Sequence, residues 1–198
     1  MSERSLQNII LCGVGGQGTI LAAKILAAAA MNRGQRVMTA ETIGMAQRGG
    51  SVFSHLRLGP AGSKGANSPL IPQGQAHLIL GFEPAEAARH LPFLGKDGMV
   101  VAARQPLPPV SALIGQSSYK AEEIYSFLES HSRAHFVDTQ RALQELGSAK
   151  VLNVLLLGAA QRLGALDFSQ EELLVAMRGL VPERFHALNE RALQYEFN

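Results

Sequence analysis

The alternation of hydrophobic and polar positions is clearest in the first forty residues. Asn8-Ile9-Ile10-Leu11-Cys12 is a short apolar, partly β-branched run bounded by polar residues, the pattern of a strand buried on both faces. From Thr19 to Arg33 there is no proline or glycine, and Ile20, Leu21, Ile25, Ala28 and Ala29 recur at spacings of three and four. That predicts a helix of roughly 22 Å, long enough to cross one face of a sheet. Gly34 stands where a glycine ends a helix, and Arg36-Val37-Met38-Thr39-Ala40 reads as a second strand. Strand, helix and strand make a βαβ unit.

The same pattern continues down the chain. Residues 52–58 alternate as a strand with one wetter face, and residues 59–75, rich in glycine and proline, form a connection stiffened at Pro69-Leu70-Ile71-Pro72. Residues 76–82 read as a buried strand. Glu83-Pro84 opens a helix with proline at its first position, running to about Leu91. A strand follows at 99–103, and the prolines of 104–109 forbid a central strand, leaving 110–114 as an edge strand. A helix at 119–132 carries Ile124, Phe127 and Leu128 on its apolar side. After a strand at 134–138, Thr139 is placed to cap the next helix. Residues 149–163 are hydrophobic almost all round, as in a buried or interface helix. Ser169 and Glu172 make a capping box, and a last helix spans 182–195. The reading is an α/β fold, a single domain over residues 1–198 with a Rossmann-like, mainly parallel sheet and helices on both faces.

Composition narrows the function. At 198 residues, with 46% hydrophobic and 17% charged positions, the chain is of ordinary globular make-up. No apolar run reaches the ~18 residues of a membrane span, and Met1-Ser2-Glu3-Arg4 opens no signal peptide, so a cytoplasmic protein is expected. A net charge of +2 makes no bulk case for nucleic acid. The charge is uneven: residues 1–82 hold seven Lys/Arg against Glu3 and Glu41, a net of +5, which leaves −3 for the rest. The single Cys12 cannot form a disulfide within the chain or hold an iron-sulfur cluster, which takes four thiolates, and it reads as a small buried hydrophobe.

Catalytic signals are sparse. The chain has no G-x-S-x-G, HExxH or paired-cysteine motif, no catalytic residue is assigned, and no metal site is expected. His131 and His135 are four apart but separated by the start of a strand, and His55 is a structural or interface histidine ahead of a general base.

The remaining signal is Gly13-Val14-Gly15-Gly16-Gln17-Gly18, a G-x-G-x-x-G turn between strand and helix. A helix N-terminus is worth up to about 2 kcal/mol to an anion, while millimolar affinity needs about 4 kcal/mol. The turn therefore needs help from Arg48, Glu41 or a partner chain to hold a nucleotide, and it reads either as a ligand site or as a tight βα turn. Glu41, 28 residues beyond Gly13, falls where a Rossmann enzyme places its ribose-binding acid. A free-standing dinucleotide-binding oxidoreductase is the alternative that this position supports. It is followed by a second glycine-punctuated loop where such an enzyme more often enters a helix.

Taken together, Gly13-Val14-Gly15-Gly16-Gln17-Gly18, Gly44-Met45-Ala46-Gln47-Arg48-Gly49-Gly50-Ser51-Val52, Gly81-Phe82-Glu83-Pro84 with Glu86-Ala87, Pro106-Leu107-Pro108-Pro109 and Asn153-Val154 through Leu157-Gly158-Ala159 resemble the gamma-type subunit of the 2-oxoacid:ferredoxin oxidoreductases, nearest the beta subunit of the indolepyruvate enzymes. Ala103 departs from that pattern, which implies asparagine three residues before Pro106. The resemblance implies a complex that oxidatively decarboxylates a 2-oxoacid, indolepyruvate or another arylpyruvate, with coenzyme A, giving acyl-CoA and reduced ferredoxin. It implies that thiamine diphosphate and iron-sulfur clusters lie in a large partner subunit, that this chain alone holds no cofactor and is inactive in isolation, and that ferredoxin is met through the complex. The positions it marks as cofactor-binding or interface residues are Gly13, Gly15, Gly16, Gln17, Gly18, Glu41, Met45, Gln47, Arg48, Gly49, Gly50 and Asn153.

Overall fold

The computed structural model describes residues 6–44, 50–60, 68–109, 112, 115 and 118–197. Six strands form one sheet: β1 (Gln7–Val14), β2 (Arg36–Ile43), β3 (Ser51–Gly59), β4 (Ala76–Gly81), β5 (Leu94–Ala103) and β6 (Arg133–Val137), in the order β2-β3-β1-β4-β5-β6. β1, β4, β5 and β6 pair in parallel. Seven α-helices occur among the described residues: α1 (Thr19–Asn32), α2 (Pro84–His90), α3 (Ala121–His131), α4 (Thr139–Leu146), α5 (Leu152–Arg162), α6 (Gln170–Arg178) and α7 (His186–Leu193).

The mainly parallel sheet with helices on both faces is as the sequence predicts, with one rearrangement. β3 lies antiparallel between β1 and β2, in register from Gln7↔Leu58 to Val14↔Ser51 on one side and from Arg36↔Gly59 to Ile43↔Val52 on the other. The connection from β2 to β3 covers only residues 44–50, short enough to turn β3 back along β2. The βαβ unit is thus split by a strand.

Two cores follow from the strand alternation. On one face Ile9, Leu11, Leu78, Leu80 and Val101 meet α1 and α4 to α7; on the other Ile10, Cys12, Ile79, Val100 and Ala102 meet Ala87 of α2 and Leu128 of α3. Each large apolar side chain buried there contributes about 1.5–3 kcal/mol. The all-round hydrophobic segment is a buried helix: α5 is buried from Leu152 to Ala160, and Gly158 lets α7 come so close that a Cβ there would stand 2.2 Å from the Leu193 carbonyl oxygen.

Two local expectations change and a third is left untested. The wetter face of β3, carrying His55 and Arg57, is covered, because residues 68–72 lie across it. Arg57 donates to the Ser68 and Leu70 carbonyls at 2.9 and 3.2 Å and to Asn8 Oδ1 at 3.0 Å, while His55 Nδ1 accepts the Ile71 N–H at 3.1 Å. The polar residues of the strand satisfy the backbone of the segment that buries them. Thr139 is the first residue of α4, with Asp138 at the cap position, and its hydroxyl points to Gln105 Oε1 at 3.3 Å. The edge strand expected at 110–114 falls outside the described residues apart from Ala112, which is helical. The Ser169–Glu172 capping box forms as read, and the Arg33 guanidinium grips the Glu172 carboxylate with two N–H groups.

Candidate functional site

The parallel strands end along one edge, where β1 leads through α1 to one side of the sheet and β4 through α2 to the other, on opposite faces. Such a switch point leaves a crevice outside the strand ends. The glycine turn lies there. Gly15 N–H donates to the Gly50 carbonyl at 2.8 Å, Gln17 N–H to the Val14 carbonyl at 3.2 Å, and Gly16 is exposed at the tip with φ 101°.

Gln17 is used internally. Its Oε1 accepts the Val14 N–H at 2.8 Å and its Nε2 donates to the Phe82 carbonyl at 2.9 Å, with the oxygen seated in the space that a side chain at Gly13 would fill. Gly18 caps α1 with φ 80° and no side-chain hydrogen bond, so among the described residues no side chain caps the first-turn N–H groups. Behind it lies Asn153 of α5, 2% exposed; a Cβ on Gly18 would come within 2.8 Å of its Nδ2. Asn153 Oδ1 and the Thr19 hydroxyl are both buried without a hydrogen-bond partner among the described residues.

The structure therefore gathers Gly13, Gly15, Gly16, Gln17, Gly18, Gly50 and Asn153 into one region. Met45, Gln47, Arg48 and Gly49 lie outside the described residues; the ends of their loop are joined by the Gly44 N–H to Ser51 carbonyl bond at 2.8 Å. Glu41 lies apart, exposed on the edge strand β2 opposite Ser54, with the whole of β3 between it and β1. A ribose acid belongs on the strand beside β1.

The sequence reading gave the Phe82–Glu86 stretch a helix start and a place in the family resemblance but no partners; Gln17, Ser51, Leu107 and Tyr119 are all tied to it. Besides the Phe82 carbonyl, the buried Glu83 carboxylate accepts the Glu86 N–H at 2.9 Å, the Leu107 N–H at 3.3 Å and the Tyr119 hydroxyl. The buried Glu86 carboxylate accepts the Ser51 hydroxyl at 2.5 Å and faces Arg89 Nε at 3.5 Å. One short stretch thus holds the glycine turn, the start of β3 and the segments at 107 and 119. The capping role of Glu83 was legible from Glu83-Pro84; its other partners lie 24 and 36 residues away, beyond the reach of local pattern.

The electrostatics fit this structural use. Burial, and then the hydrogen bond to Glu83, pushes the Tyr119 phenol far up, keeping it a donor. Burial, then Glu86 and Glu83, pushes the Cys12 thiol up, the opposite of what a metal ligand requires. Among the described residues no group of three or more His, Cys, Asp or Glu side chains is placed to hold a metal ion, and no helix is long and apolar enough to cross a membrane. Beside the tied segments lies an open cleft of about 880 Å³, with Val14, Ser51, Glu86, Leu107, Ile124 and Phe127 among its walls.

Residues 8–195 match the family model described as pyruvate ferredoxin/flavodoxin oxidoreductase. The chain is 34% identical over 190 residues to the indolepyruvate oxidoreductase subunit IorB of Thermococcus kodakarensis, covering 94% of this chain and 92% of that one. It is 36% identical over 193 residues to the protein of the same name from Archaeoglobus fulgidus, covering 96% and 94%. In fold it is similar to the gamma subunit of a keto/oxoacid ferredoxin oxidoreductase from Geobacter sulfurreducens, with TM-score 0.65, 23% identity and coverage of 95% and 94%. It is also similar to 2-oxoglutarate:ferredoxin oxidoreductase from Magnetococcus marinus, with TM-score 0.70 and 22% identity; there 97% of this chain aligns with 30% of a longer one.

Proposed function

Because the chain belongs to the pyruvate ferredoxin/flavodoxin oxidoreductase family, we propose that it is the small, cluster-free subunit of a 2-oxoacid:ferredoxin oxidoreductase, acting on indolepyruvate or another arylpyruvate. The observation that carries this is the 34–36% identity to indolepyruvate oxidoreductase subunits over more than nine-tenths of both chains. The complex would decarboxylate the 2-oxoacid oxidatively, pass the acyl group to coenzyme A and reduce ferredoxin.

Iron-sulfur clusters do not fit this chain, whose one thiol is fully buried and shifted away from the thiolate. They and thiamine diphosphate are assigned to the large subunit. What this chain offers coenzyme A is the uncapped first turn of α1, whose N–H groups suit a phosphate, together with the basic loop containing Arg48. In this reading the glycine turn and the 45–50 loop form one wall of a site or interface completed by the large subunit.

The test is co-expression with candidate large subunits and measurement of viologen dye reduction that depends on both 2-oxoacid and coenzyme A. Turnover with arylpyruvates above pyruvate and 2-oxoglutarate is expected; the isolated chain should be inactive and unaffected by NAD. Stabilisation and turnover of the isolated chain with NAD would overturn the assignment in favour of the dinucleotide reading through Glu41.

A further inference from the structure

The cleft beside Glu83 and Glu86 has two characters at different depths. Its walls are apolar: Leu107 and Phe127 are 48% and 43% exposed, large values for side chains of that size, and Ile124 and Ala88 line it with them. Its floor is acidic. Glu83 and Glu86 are buried, and Glu83 takes its hydrogen bonds from neutral donors. The cations that line it, Arg89 and Lys120, sit at the rim with side chains 67% and 62% exposed, each beside a glutamate, Glu86 and Glu123. A guest reaching the floor must bring hydrogen-bond donors or positive charge, and a guest covering the walls must be apolar.

The shape favours a peptide over a small molecule. A drug-sized ligand is usually enclosed over some 70–90% of its surface. This cleft is an open groove along α3, which at 11 residues is about 16 Å long. An extended or helical segment fills such a groove while leaving one side exposed.

We infer that the groove between α2 and α3 is a docking site for an apolar segment of the large subunit that carries an arginine or lysine, whose cation ends against Glu86. The inference rests on the subunit assignment above. It is supported by the charge complementarity of the groove, in whose lining three glutamates, Glu83, Glu86 and Glu123, meet two cations, Arg89 and Lys120. Burying Leu107 and Phe127 places two apolar anchors around one desolvated ion pair, the arrangement that concentrates binding energy at an interface centre.

The experiment uses the full chain and its purified large subunit, with affinity measured by interferometry. Phe127→Ser and Leu107→Ser remove the anchors, and Ala88→Arg places bulk and positive charge where the guest's cation belongs. Val175→Ser, on α6 and 49% exposed, is the matched control on the opposite face of the sheet. All four should fold with unchanged circular dichroism. The groove variants should weaken the complex at least tenfold, and the control less than twofold. Equal affinity for groove and control variants, with the wild-type complex intact, would overturn the docking site while leaving the subunit assignment standing. So would a change in self-association of the isolated chain without loss of large-subunit affinity, which would assign the groove to a second copy. Failure of the wild-type chain to bind any large subunit would sink the assignment itself.

Discussion

Asn153 lies with its side-chain amide against Gly18, the residue that caps α1, so close that any Cβ on Gly18 would fall 2.8 Å from Nδ2. The contact joins the start of α5, buried under one face of the sheet, to the turn at its edge. With φ 80°, Gly18→Ala meets both an unfavourable backbone and this amide, and about 2–4 kcal/mol of unfolding free energy should be lost. Asn153→Gly in the same chain should restore the steric part, so the double variant loses less than the sum of the singles, as read from urea midpoints.

Gly158 and Gly179 make a controlled pair. At Gly158 a methyl group would strike the Leu193 backbone oxygen, so Gly158→Ala must push α7 away from α5, at about 3 kcal/mol. At Gly179 the nearest atom would be 3.6 Å away and φ is −70°, so Gly179→Ala should raise stability by about 0.5 kcal/mol. Thermal unfolding of the two variants should shift in opposite directions.

His55 gives a pH dependence of known sign. Burial, then His90 and Arg57, lowers its pKa below the ordinary 6.5, so the folded protein holds it neutral, accepting the Ile71 N–H. The unfolded chain binds the proton more readily, and stability is complete above about pH 6.5 and falls as pH drops towards the folded value. Chemical denaturation at pH 5.5 and 7.5 should show this loss in the wild type and less of it in His55→Gln.

Arg33 and Glu172 act in a lower window. The Arg33 hydrogen bonds, chiefly, hold the Glu172 carboxyl down to about 2 from 4.5. The stability they contribute is present above pH 4.5 and is lost as pH falls towards 2. Arg33→Ala should cost about 1–2 kcal/mol at pH 7, towards the low end for charged hydrogen bonds because Glu172 is partly exposed. The difference from wild type should shrink in acid denaturation near pH 2, leaving what Arg33 contributes through the Asp167 carbonyl and the Phe168 ring.

Legibility followed the range of the interactions. α1 with Gly34 beyond it, the Glu83-Pro84 start of α2 and the Ser169–Glu172 box could be read because their determinants lie within four residues. The position of β3 could not be read, since the pattern of 52–58 says nothing about which strands flank it. His55 is the structural histidine that the sequence suggested, but the burial of its face of β3 was not legible, for a related reason: the partners of His55 and Arg57 include backbone groups of Ser68, Leu70 and Ile71, which no side-chain pattern reports. At the site, the glycines were legible as a turn, whereas the internal use of Gln17 depends on Phe82, 65 residues away.

The insertion of β3 has a consequence for how the chain is made. β1 never pairs with the next strand in sequence; its partners are 37–51 residues further on in β3, and further still in β4. During synthesis the apolar β1 therefore waits with both edges open until β3 has emerged at about residue 59, and with one edge open until β4 is complete at about residue 81, an interval in which unpaired strands seek other chains. Yield of soluble protein should depend on translation speed through the first eighty residues, with slow codons there lowering yield and slow codons after β4 leaving it unchanged.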